Sequence, residues 1–169
     1  MNINNCNIYF ILLCFLLSCK KEKKTIKLPI INNDCTTQRY KDSIAIENNN
    51  TIHKYILDNN LVVDSTSTGL FYAIVDSGVG LTPNDNSYIT VYYKGYLVNG
   101  TNFDQTSGTP IEIKLLNTIL GWRFGLPLIK NNGKIKLIIP SVMAYGCNQV
   151  ANIPKNSVLI FDVELVNIR

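Results

Sequence analysis

The sequence predicts an α+β domain, an antiparallel β-sheet of about five to six strands wrapped on one short α-helix, behind an N-terminal export segment, a tether and a short helical lead-in. Three observations predict it. From Ser65 onward, runs rich in Val, Ile, Tyr, Thr and Phe alternate with Gly, Asn and Pro turn residues. Only one segment among those runs, Ile119 to Leu128, has helical character, and it is short. No unit of about 20–50 residues repeats, which excludes a solenoid.

A chain of 169 residues has room for one domain and an extension. With 46% hydrophobic and 17% charged residues it can bury a core, so wholesale disorder is excluded. The formal charge of +4 is concentrated at Lys20, Lys21, Lys23 and Lys24, so no basic face on the domain points to nucleic acid. The cysteines, Cys6, Cys14, Cys19, Cys35 and Cys147, make no zinc spacing, and His53 is the single histidine. No metal or cofactor is expected.

The elements follow in order. Ile8 to Leu17 is apolar and uncharged, about half the roughly 20 residues a spanning helix needs and the length of a signal-peptide core. Met1 to Phe10 carries no Lys or Arg. The run ends in Leu16-Leu17-Ser18-Cys19, which resembles a bacterial lipobox. That resemblance implies a lipoprotein signal peptide over 1–18 and lipidation at Cys19, with two acyl chains giving stable anchoring. Lys20 to Lys24 then either meets anionic head groups or is simply solvated. Residues 19–42, with Pro29, Asn32, Asn33 and Asp34, read as a tether.

Residues 43–64 read as a lead-in with a weak helix, in which Ile52, Tyr55 and Ile56 share a face. One of Asn48, Asn49 and Asn50 is a candidate N-cap, and His53 falls opposite the apolar face, as a surface residue. The domain proper covers 65–169. Its strand-like runs are Gly69 to Asp76, Tyr88 to Leu97, Ile111 to Lys114, Lys134 to Ile139 (ended by Pro140) and Val158 to Asn167. In the last, Leu159, Phe161, Val163 and Leu165 point one way, and Asp162 and Glu164 the other. Asn99-Gly100 and Asn131-Asn132-Gly133 read as turns.

Within this frame, ordered motifs resemble the FKBP family of peptidyl-prolyl cis/trans isomerases. Val91-Tyr92-Tyr93-Lys94-Gly95-Tyr96-Leu97 is similar to its V-x-Y-x-G-x-L strand, and Asn99-Gly100-Thr101-Asn102-Phe103-Asp104 to its N/D-G-x-x-F-D segment. Ile119-Leu120-Gly121-Trp122 with Gly125-Leu126 is similar to I-x-G-W-x-x-G-L. Ala144-Tyr145-Gly146, Ile153-Pro154 and Leu159 to Leu165 resemble the family's A-Y-G, I-P and L-x-F-D-V-E-L. Residues before the domain loosely resemble the helical lead-in of bacterial lipoprotein members.

The resemblance implies an FKBP-like fold and a proline pocket. Its catalytic wall is Tyr93, Phe103, Asp104, Ile119, Trp122, Tyr145 and Phe161, with Ile111, Thr118 and Ile153 as further substrate-binding residues. Trp122 is the expected floor. Asp104 is the only charge, and the sequence leaves open whether it polarises the site or orients Tyr93. The chain departs from the family pattern at Ile111, Thr118, Asn152 and Pro127, and in a flap between Tyr145 and Ile153 about one residue short.

Rotation about an X-Pro bond must cross about 18–20 kcal/mol. No bond breaks, so no nucleophile is needed; a dry aromatic pocket favours the less charge-separated twisted amide. The implied partners are proline-containing peptides or unfolded proteins, a membrane through the lipid anchor, and macrolide inhibitors. The implied location is the cell envelope, on the periplasmic face or the outer membrane, and the chain reads as a monomer. The competing reading is a proline-binding or chaperone module of an envelope or motility machine that needs no turnover. Whether Cys35 and Cys147 pair is left open.

Overall fold

The structure of the protein, a computed structural model, describes Cys35 and residues 37–169. The expected signal peptide, Cys19, the basic cluster and most of the tether lie outside the described residues.

An antiparallel sheet organises the chain. Its strands are β1 (Asp64–Ser65), β2 (Phe71–Asp76), β3 (Tyr88–Leu97), β4 (Asn102–Gln105), β5 (Ile111–Lys114), β6 (Lys134–Ile139) and β7 (Leu159–Ile168). They run in the order β1-β2-β6-β7-β3-β4, and β5 also pairs with β3. β4 pairs with the Lys94–Tyr96 end of β3 and β5 with its Tyr88–Val91 end, so the two short strands share one edge. The sheet therefore has seven strands against the five or six expected. The two-residue β1 and the polar β4 are too short to show a period in the sequence.

Each face of the sheet buries a different helix. The helix α2 (Leu120–Gly125) continues into a 3₁₀ turn, Leu126–Leu128, which holds Pro127. It packs with Trp122 and Leu126 on Ile135, Leu137, Ile139, Leu159, Phe161 and Val163. Close approach is what Gly121 and Gly125 permit. A Cβ at Gly121 would stand 2.5 Å from the Ile139 side chain, and one at Gly125 2.5 Å from Leu137. The G-W-x-x-G spacing thus sets two glycines on the face turned to β6 and lets the helix settle onto the strand.

On the other face lies α1 (Gln38–Asp58). Ile52, Tyr55 and Ile56 pack on Ile138, Val158, Ile160, Phe71 and Tyr96. Adjacent residues such as Leu137 and Ile138 thus serve different cores, as the two-residue period of a strand demands. α1 starts at Gln38 rather than Ser43, because Thr37 caps it by accepting from the Tyr40 N–H at 3.3 Å. None of Asn48 to Asn50 is the N-cap; the helix runs through all of them. At its other end Asn60 is left-handed (φ 50), its N–H donates to the Leu57 carbonyl, and the Leu61 N–H donates to that of Ile56. That pattern is a Schellman stop, with Leu61 tucked into the same apolar cluster. His53 is exposed but not turned away from the sheet: its ring meets Phe71 edge-on at 5.4 Å. Cys35, in the segment read as tether, forms a disulfide with Cys147.

Candidate functional site

A cavity of about 520 Å³ opens on the α2 side of the sheet. Every residue that the motifs nominated inside the domain lines it: Tyr93 from β3, Phe103 and Asp104 from β4, Ile111 from β5, Thr118 and Ile119 before α2, Trp122 from α2, Tyr145 and Ile153 from the flap, and Phe161 from β7. Cys19 lies outside the described residues.

The walls are aromatic and mutually supporting. Trp122 meets Tyr93 edge-on at 5.3 Å and Phe161 edge-on at 5.4 Å, and Phe103 meets Phe161 edge-on at 5.5 Å. Such perpendicular contacts set the positive edge of one ring against the negative face of the next, which fixes the ring planes. Gly95 makes room for the last pair, since a Cβ there would stand 2.6 Å from Phe103 and 2.8 Å from Phe161. Trp122 is only 5% exposed, and its indole N–H has no acceptor among the described residues. A buried unpaired donor is a cost that folded chains usually avoid.

Polar groups are few. The Tyr93 hydroxyl donates to Asp104 Oδ2 at 2.6 Å, so the single carboxylate of the pocket orients a wall. Burial pushes the Tyr93 phenol well above its usual value, and the Asp104 carboxylate adds to the shift. Burial also raises the Tyr145 phenol, again helped by Asp104. Both stay protonated donors at neutral pH. The Thr118 hydroxyl donates to the Leu115 carbonyl at 2.8 Å, so this polar departure from the family pattern is satisfied locally. Arg123 chelates Asp85 with two N–H donors and clips α2 to the loop before β3.

The motifs did not nominate Ile113, Asn117, Val150, Ala151 and Asn152, which complete the lining. Ile113 was recoverable, because it shares a strand face with Ile111. Asn117 ends a 3₁₀ turn, Leu115–Asn117, and the other three sit in the flap, where no period marks a direction. Val150 and Ile153 exchange backbone hydrogen bonds of 3.1 and 2.8 Å, closing a turn at the flap tip with Ala151 left-handed (φ 46).

Comparison with known proteins bears on the fold and the family. The chain is 51% identical over 110 residues to the FKBP-type peptidyl-prolyl cis-trans isomerase FkpA of Buchnera aphidicola from Schizaphis graminum, covering 63% of this chain and 44% of the relative. It is 47% identical over 109 residues to FkpA of Escherichia coli K12, covering 63% and 40%. The chain therefore spans less than half the length of these relatives. The crystal structure of Escherichia coli FkpA superposes with a TM-score of 0.67 at 40% identity, over 78% of this chain and 64% of that one. The family model for FKBP-type peptidyl-prolyl cis-trans isomerases matches residues 80–166, from the loop before β3 into β7, and the chain belongs to that family.

Proposed function

We propose that the protein accelerates cis/trans rotation about X-Pro bonds of unfolded envelope proteins in the pocket between β3, β4, α2 and the flap. The observation that carries this reading is the enclosed ring of Tyr93, Phe103, Trp122 and Phe161 with a single carboxylate already engaged by a phenol. A planar amide is charge-separated and well hydrated; the twisted amide is less so. Moving it from water into aromatic walls penalises the ground state more than the transition state. In this reading the proline ring sits on Trp122. The Tyr145 hydroxyl and the Ile119 backbone N–H, at the N-cap of α2, then hold carbonyls flanking the proline. A thousandfold acceleration needs only about 4 kcal/mol off the barrier, within reach of desolvation plus two positioned donors.

The test is a prolyl-isomerisation assay on a short X-Pro peptide with Trp122 emission followed in parallel. Trp122 is the only tryptophan, so its signal reports this pocket alone. The expected result is acceleration together with a saturable emission change, and competition by a macrolide. Binding measured by calorimetry with flat emission removes Trp122 from the pocket floor. Binding with emission change but without acceleration points to the proline-binding module instead.

The N-terminal residues suggest a second element of the proposal: Cys19 carries a lipid that holds a monomeric domain at a bacterial membrane. Cys19→Ser is expected to release the protein from membranes and stop fatty-acid labelling; retained labelling overturns the anchor.

A further inference from the structure

We infer that α1 and the Cys35–Cys147 disulfide form a brace that positions the flap over the pocket, with Asn48 and Asn156 as its positioning residues. The inference rests on the reading of that pocket as the proline site.

The flap supplies one wall through Tyr145, Val150, Asn152 and Ile153, yet its tip is exposed and held mainly by its own Val150–Ile153 pair. What fixes it lies at its roots. The Asn156 N–H donates to the Gly146 carbonyl at 2.7 Å, which joins the two ends of the flap. Asn156 is itself left-handed (φ 62) and is gripped by α1: its carbonyl accepts from Asn48 Nδ2 at 3.0 Å, and its Nδ2 donates to the Tyr40 hydroxyl at 2.6 Å. The other end of the Asn48 amide, Oδ1, accepts from the Ser141 N–H at 2.6 Å. Ser141 opens the 3₁₀ turn that leads into Tyr145. The disulfide then ties Cys147, next to Gly146, to Cys35, two residues before the N-cap of α1.

Asn48 separates a brace from ordinary packing. It is 3% exposed, at the position along α1 between Ile44 and Ile52 where an apolar side chain would dock the helix without cost. A buried amide costs free energy unless both its ends are bonded. Here both ends are used, and both partners are backbone groups at the roots of the flap rather than groups on α1. The disulfide is also open to reagents: Cys35 and Cys147 are half-buried and line a cavity of about 340 Å³ together with Lys41 and Asn156.

The experiment compares the oxidised full chain with the chain reduced by a soluble dithiol, and with Asn156→Gly. In the reduction two electrons and two protons pass from the dithiol to the protein, giving two thiols and leaving the reagent as a cyclic disulfide. Asn156→Gly keeps the left-handed backbone accessible and deletes only the side chain. Amide exchange is read at Val150 and Ile153 in the flap and at Leu137 and Phe161 in the sheet, alongside kcat and KM on an X-Pro peptide. Loss of the brace is expected to speed flap exchange by about tenfold while sheet exchange stays within about twofold, the signature of local opening. KM rises with little change in kcat, and re-oxidation of the reduced chain restores both. Unchanged flap exchange in both samples overturns the brace, and so does equal acceleration at all four amides. If the oxidised protein has no isomerase activity the proposed function fails, and the exchange data still decide the brace.

Discussion

Tyr93 and Tyr96 stand on the same strand, β3, and point to opposite faces of the sheet. Their chemistry is nearly identical. Tyr93 donates to Asp104 at 2.6 Å, and Tyr96 donates to Asp162 at 3.0 Å. Burial raises both phenols, with a carboxylate adding to each shift. Tyr96 even has a cation, Lys136, over its ring at 5.2 Å, and none lies over Tyr93 among the described residues. Yet Tyr93 lines the cavity, whereas the space beside Tyr96 is filled by Tyr55, Ile56 and Ile52 of α1. A perturbed tyrosine paired with a carboxylate is therefore no mark of a site in this fold. What marks the site is the aromatic-walled cavity beside Tyr93, whose counterpart beside Tyr96 is filled by side chains of α1.

The sharpest way to break that comparison is to empty each face in turn. Leu137 and Ile138 are neighbours on β6, both fully buried, and serve the α2 and α1 sides respectively. Leu137→Ala is expected to cost about 3–5 kcal/mol in urea unfolding and Ile138→Ala about 2–4 kcal/mol, the smaller cluster on the α1 side collapsing more readily. Leu137→Ala should also lower kcat/KM, because Leu137 supports Gly125 beneath α2. A rate loss in Ile138→Ala alone reverses the assignment of faces.

A second test exchanges the carboxylates. Asp104→Leu deletes the charged acceptor of Tyr93 and is expected to raise the barrier behind kcat/KM by about 1.5–3 kcal/mol, roughly a 10- to 150-fold loss. Asp162→Leu does the same to Tyr96 and should leave the rate unchanged. Tyr145→Phe should cost about 1 kcal/mol, or roughly fivefold, with no change in unfolding midpoint. Unaltered rates in Asp104→Leu and Tyr145→Phe together would place the chemistry elsewhere.

These contrasts also show what the sequence could and could not disclose. β3, β5 and β6 begin and end where the runs Tyr88 to Leu97, Ile111 to Lys114 and Lys134 to Ile139 do, because one-sided burial imposes a period that turn residues then interrupt. The pocket list was legible for a different reason: the ordered motifs resemble those of the FKBP family, and that resemblance implied the wall residues position by position. The α1 side was harder to read. Its helix has a low apolar content, and its decisive residue, Asn48, looks like a poor helix former until its two distant backbone partners, Ser141 and Asn156, are seen. The Cys35–Cys147 link spans 112 residues, and nothing local predicts a contact over that distance.

High pH offers a third test, in which Tyr96→Phe isolates the α1 side from the raised Tyr93 and Tyr145 phenols of the pocket. Tyr55 and Tyr96 are pushed from 10.0 to about 12 in the folded protein, burial being the main cause. The unfolded chain loses these protons near pH 10 while the folded chain keeps them to about 12. Stability from this source is therefore complete below pH 10 and is lost as pH rises from 10 to 12. Urea midpoints measured across that window should fall in the wild type and fall less steeply in Tyr96→Phe. Parallel curves would remove Tyr96 from the cause.

The smallest effect is the most direct comparison, Tyr93→Phe against Tyr96→Phe at neutral pH. Removing the Tyr96 hydroxyl leaves Lys136 and Asp162 still paired with each other, and Asp162 is half-exposed, so water replaces the lost donor. The expected cost is about 0.5–1 kcal/mol in unfolding, with kcat/KM untouched. Tyr93→Phe should cost a similar amount of stability: both lose a bond to a carboxylate at a half-buried strand position, and the bond that the Tyr96 hydroxyl also accepts from Lys136 is offset by that lysine's ion pair with Asp162. Its rate should fall, because the ring that Asp104 orients is a wall against Trp122 and Phe161. Two variants matched in stability and separated in rate would show that position relative to the cavity, and not the strength of the tyrosine–carboxylate bond, decides which face of β3 is functional. Equal rate losses in both would mean that α1 and its face act on the reaction through the sheet itself.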